Sequence, residues 1–165
     1  MPLIEHGHIV EDRWSLVADD APLPADRPAI ISLARLRAAA AALAGRRALL
    51  GVRVNASTPA ASLADVVALV ALVAIEFPVF RDGRGFTIAR HLREHLGFTG
   101  EIRAIGHVLP DQHDFLLRTG FTAISVDDPL RAAEFLAMRG RVGIAYQPGQ
   151  VGGTPLSLLR RRALT

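Results

Sequence analysis

Leu72-Val73-Ala74-Ile75-Glu76-Phe77-Pro78-Val79-Phe80-Arg81-Asp82-Gly83-Arg84-Gly85-Phe86-Thr87-Ile88-Ala89-Arg90 begins as an apolar run and closes on a carboxylate and a proline. A turn of two arginines, an aspartate and two glycines follows, and then helical spacing resumes. Strand end, charged glycine-rich turn and helix start are the ingredients from which α/β proteins build ligand sites, because the first turn of a helix offers free amides. The pattern predicts a strand over Leu72–Phe77 and a helix over Thr87–Leu96 that Gly97 closes.

The same unit recurs on both sides. Upstream, Ala29–Leu33 reads as a strand, Ala34–Ala44 as an alanine-rich helix closed by Gly45, and Leu49–Val54 as a strand ending at Asn55. Thr58-Pro59 has the form of an N-cap followed by proline at the first helical position, which predicts a short helix to about Leu69. Downstream come a strand Glu101–Ile105, a helix Pro110–Thr119, a strand Ala123–Val126, a helix from Asp128-Pro129 to Arg139, and a strand Val142–Tyr146. Leu3–Ile4 and Ile9–Val10 flank His6-Gly7-His8 as a hairpin, and Asp19–Pro28 is a connecting loop.

Strands alternating with helices predict an α/β fold. It is a mostly parallel six-stranded sheet with helices packed on it, open doubly wound or half-barrel-like, preceded by an N-terminal hairpin. Continuous apolar strands suggest helices on both faces. Residues 1–147 read as a single α/β domain and 148–165 as a flexible tail carrying Arg160-Arg161-Arg162.

Composition removes whole classes of chemistry. The 165 residues contain no cysteine, which excludes disulfides, thiolate metal sites and a cysteine nucleophile. All nineteen basic residues are arginine, so a Schiff-base lysine and a Walker-type phosphate loop are impossible. The formal charge is only +3, and no aromatic-basic signature accompanies it, so no nucleic-acid partner is expected. The longest apolar run, Val66 to Ile75, is about half a bilayer span, and the N-terminus has no signal-peptide pattern. A cytoplasmic protein without a membrane partner is the expectation.

Ligands of such folds bind beyond the carboxyl ends of the strands. Those ends carry Asn55 and Ser57; Glu76 with Arg81, Asp82 and Arg84; His107 with Asp111; and Asp127. Arg81, Asp82, Gly83, Arg84, Gly85 and Thr87 form a candidate anion-binding turn, to which Arg103 in the Glu101–Ile105 strand is added. The same turn has a structural alternative, in which Asp82-Gly83 sets the bend and Arg81 or Arg84 pairs with Glu76 or Asp82. Glu76, or His107 oriented by Asp111, is a candidate catalytic base. His113 and Asp114 read as solvated. His91-Leu92-Arg93-Glu94-His95 matches a zinc-peptidase pattern, but Ile88, Leu92 and Leu96 form the buried stripe and leave His91 and Glu94 off it. No metal site is assigned.

The string Glu76-Phe77-Pro78…Phe80-Arg81-Asp82-Gly83-Arg84-Gly85-Phe86, continued by Ala89-Arg90, Gly97-Phe98, Gly100-Glu101-Ile102-Arg103-Ala104, Val108-Leu109, Asp111-Gln112 and Gly120-Phe121, resembles a bacterial family of unknown function. That family's customary label is an oxidoreductase involved in sulfite reduction, and its members commonly accompany sulfite reductase. The chain departs from the family pattern at His107, Pro110 and Thr119. The resemblance implies a sulfur-assimilation context: an accessory or anion-binding partner of sulfite reductase or its electron donor, taking a small anion such as sulfite or phosphate. Oxidoreductase activity rests on the resemblance alone, since the sequence holds no nicotinamide, dithiol or flavin motif, and no cofactor is implied. Two alternatives stay open. One is a small enzyme acting on a phosphorylated or carboxylated metabolite, and the other is a non-catalytic, structural or homo-oligomeric subunit.

Overall fold

The computed structural model describes residues 2–43 and 48–140. The predicted strand Val142–Tyr146, the tail 148–165 and the closing residues 44 and 45 of the first helix lie outside them. Eight strands form one sheet: β1 (Pro2–Glu5), β2 (His8–Glu11), β3 (Ser15–Leu16), β4 (Ala29–Ser32), β5 (Leu50–Asn55), β6 (Leu72–Phe77), β7 (Glu101–Gly106) and β8 (Ala123–Ser125). The helices are α1 (Leu33–Leu43), α2 (Arg84–Glu94), α3 (His113–Thr119) and α4 (Pro129–Met138).

The strand order is β2-β1-β8-β7-β6-β5-β4-β3. Strands β3 to β8 are parallel and lie in sequence order, so each crossover steps the same way. A doubly wound sheet reverses direction at a switch point. This sheet never does, and the half-barrel alternative is the one realised. The hairpin is part of the same sheet, since β1 pairs antiparallel with β8, Ile4 opposite Ile124.

The curl follows from chain length. Strands β2 and β3 occupy opposite edges, yet only residues 12–14 join them. Four Cα steps reach at most about 15 Å. Seven flat inter-strand spacings would need about 34 Å. The edges must therefore curve toward each other, with residues 12–14 strapped across the helix-free side.

The single winding also puts all the helices on one face, not both. Ile31, Val52, Val73 and Ile102 are register partners that point into one core. That core also takes Leu36 of α1, Phe86, Ile88 and Leu92 of α2, Leu116 of α3 and Phe135 of α4. The opposite face holds a small cluster of Trp14, Ile30, Leu72 and Ala74.

The predicted helix over residues 58–69 is instead two 3-10 turns, Ala60–Leu63 and Val67–Leu69. Ser62 donates both its N–H and its hydroxyl to Pro59 O, and such three-residue closures tighten the chain. A 3-10 turn at Pro110–Gln112 likewise precedes α3. Asp128 caps α4 as expected, accepting from Leu130 N at 2.9 Å.

Candidate functional site

The carboxyl rim divides into an outer turn between β6 and α2 and an inner patch on the helix-free face. In the outer turn, Asp82 sits where an external anion was expected. Its Oδ1 accepts Arg84 N at 3.2 Å and Arg84 Nε at 2.9 Å, and its Oδ2 accepts Arg84 Nη2 at 2.7 Å. The carboxylate satisfies an amide of the first turn, which lets α2 begin at Arg84, three residues before the predicted start. Hydrogen bonding to Arg84 holds the Asp82 carboxyl below its ordinary range and raises the Arg84 guanidinium. Arg81 is exposed and has no partner among the described residues.

Gly85 has a packing role. A Cβ there would come within 2.5 Å of the Phe77 ring, so a helix can start over that ring only with glycine at this position. Phe77 stacks in turn on Phe86 at 5.2 Å and on Phe121 at 5.9 Å. Gly106, at φ +85, is a second requirement of the same kind, since a Cβ would lie 2.6 Å from Phe77 O. The apolar half of the Glu76–Phe86 string therefore builds core, and its polar half builds the turn. Gly83 and Thr87 open onto a groove of about 360 Å³ between α2 and α3, floored by Phe86 and Phe115.

The other candidates separate. Glu76 faces the helix-free side and stands 3.6 Å from Arg53, away from Arg81 and Arg84. His107 is exposed and is fixed by its backbone, which donates to Phe77 O at 2.8 Å. No hydrogen bond joins it to Asp111 among the described residues, and Asp111 is also exposed. Gln112 spans this loop instead, donating from its amide to Phe80 O and accepting from Leu109 N. Asn55 and Ser57 bond to each other.

Arg103 is only 2% exposed, between Asp12 of the strap at 2.6 Å and Glu101 at 2.7 Å. Its place is structural, remote from the outer turn. His113 is not solvated as expected: it is 1% exposed, with Nδ1 3.1 Å from Asp114 Oδ1 and its ring facing Phe135. The 3-10 turn before α3 changes the helical phase and rotates it inward. His91 and His95 lie ring to ring at 4.8 Å while Glu94 pairs with Arg90. Among the described residues no group of three metal-ligating side chains comes together. Arg93, between those histidines, donates to the carbonyls of Phe98, Gly100 and Gly120 and ties α2 to two turns. Burial lowers its pKa.

Sequence reading assigned no role to Arg53, Asp12 or Trp14. The available signal was periodic. Arg53 and Asn55 interrupt β5 at every second residue, which marks a polar face.

The family model described as bacterial protein of unknown function (DUF934) matches residues 51–157. No curated protein and no solved structure matches the chain.

Proposed function

The chain belongs to the bacterial family of unknown function DUF934, and from that premise we propose that it is an accessory protein of sulfite reduction that binds a small oxyanion at the outer turn. The pathway rests on the resemblance of the Glu76–Phe86 string. The site rests on one observation: a guanidinium fork that Asp82 engages at two nitrogens, beside Arg81, which has no partner among the described residues. Asp82 takes the Nε and Nη2 edge of Arg84 and leaves Nη1 available. Arg81 supplies the second cation. Two arginines, one of them pre-oriented, suit a compact dianion such as sulfite or phosphate.

A catalytic reading has less support. Glu76 has Arg53 as its near neighbour, and His107 lacks an orienting carboxylate among the described residues.

Binding is tested by calorimetric titration with sulfite and with phosphate. Saturable binding that falls about tenfold or more in Arg81→Ala and Arg84→Ala, with both variants folded, supports the reading. No binding by the wild type refutes the anion site. The accessory role is tested with purified sulfite reductase, where the absence of any complex at micromolar concentration counts against it. A gene deletion that grows equally on sulfate and on cysteine, once redundant genes are removed, overturns the pathway.

A further inference from the structure

The inner patch carries a second set of polar side chains, apart from the outer turn. One register row crosses the helix-free face as Ser32, Arg53, Ala74, Arg103, Ala123 and Glu5. The strap closes over Arg103. It leaves Arg53 open, beside a cavity of about 410 Å³ lined by Leu16, Val17, Ala18, Asp19, Ser32 and Arg53.

Three features of this cavity point to one ligand class. Arg53 Nε stands 3.6 Å from Glu76 Oε2, too far for a hydrogen bond, and both side chains remain about two-fifths exposed (43% and 37%). Each charge is therefore neutralised only in part and keeps free hydrogen-bonding capacity. Asp19 is the carboxylate of the cavity wall itself, and Glu76 borders the cavity through its contact with Arg53. Leu16 is 60% exposed and leaves bare apolar surface beside these charges. A simple anion would meet Arg53 but also Glu76 and Asp19. A simple cation would meet Arg53. A zwitterion answers both signs, and an aliphatic side chain covers Leu16.

We propose that this cavity binds a small aliphatic α-amino acid, with its carboxylate on Arg53, its ammonium on Glu76 and its side chain against Leu16. Its place at the carboxyl ends of β3 and β4, with Arg53 near the end of β5, is the side on which folds of this winding take ligands. The site lies on the opposite side of β6 from α2 and does not depend on the oxyanion reading.

The test is calorimetric titration of the full chain with L-leucine, 4-methylpentanoate and 3-methylbutylamine, the latter two lacking the ammonium or the carboxylate. L-Leucine should saturate the protein, and each analogue should bind about tenfold more weakly or worse. Arg53→Gln and Glu76→Gln should each weaken L-leucine binding to a similar degree, whereas Arg84→Ala should leave it unchanged. Near-ultraviolet circular dichroism of Trp14 checks that the variants are folded. Should Arg53→Gln not fold, Glu76→Gln and the analogues decide. Absence of saturable L-leucine binding, equal binding of 4-methylpentanoate, or unchanged affinity in Glu76→Gln would each overturn the proposal. Loss of sulfite binding alone would strike only the outer turn.

Discussion

Arg53 and Arg103 stand two strands apart in one row of one sheet, on the same face, with Ala74 between them. Their environments are opposite. Arg103 is locked under the strap between two carboxylates, whereas Arg53 is open and loosely opposed to one. Identical side chains on equivalent positions have become a structural bolt and a half-exposed, loosely paired cation. The difference is made by three residues, 12–14: Asp12 pairs with Arg103 and Trp14 packs on Ile30, Leu72 and Ala74, and among the described residues none of them pairs with Arg53. A buried ion cluster holds its geometry because breaking it strands charge away from water, while a half-exposed pair can exchange partners at little cost.

The contrast can be broken at several points. Removing Arg103 should have the largest effect. Arg103→Ala leaves Asp12 and Glu101 without their cation and should cost about 3–5 kcal/mol in urea unfolding. A loss below about 1 kcal/mol would mean that water already screens the cluster. Asp12→Asn keeps the Glu101 partner and the volume, so a loss of about 1–3 kcal/mol is expected, together with a changed Trp14 fluorescence as the strap loosens. Trp14 N donates to the same Asp12 side chain at 3.0 Å, so the tryptophan reports directly on that anchor. Arg53→Ala should cost no more than about 1 kcal/mol, and a larger loss would place Arg53 with the bolts.

The smallest effect belongs to a third pair, Asp82–Arg84, and pH exposes it. Because the folded Asp82 pKa is depressed, its contribution is fully present above the ordinary carboxylate value, at about pH 4. It is lost as pH falls through the lower folded value. The melting temperature of wild type should therefore exceed that of Asp82→Asn at about pH 6, and the gap should close toward about pH 2. A gap that is independent of pH would show that charge plays no part.

Much of this was legible in the chain. Leu72–Phe77 emerged with its predicted bounds because a continuous apolar run ending in charge and proline has one economical solution. The hairpin around Gly7 and the Asp128 cap follow from equally local rules. Within the candidate site, sequence reading located the Arg81–Thr87 turn and left open whether Arg84 faces a ligand or a neighbour. The structure shows it held by Asp82, two residues away, a contact that turn chemistry allows and does not require. His113 was misread because the phase of a helix depends on the 3-10 turn before it, which no periodicity count contains.

Local pattern thus determined most of the elements, their order and their parallel pairing, but missed the two-residue β3 and read the two 3-10 turns after β5 as a helix. It left undetermined which way the crossovers wind and which polar strand residues are sealed. Those depend on contacts between residues far apart in the chain: Ile4 with Ile124, and Asp12 with Arg103. The hydrophobic effect is non-directional and specifies that a face is buried, not what covers it. Only the closed path of the chain brings the strap over Arg103 and leaves Arg53 facing the open cavity.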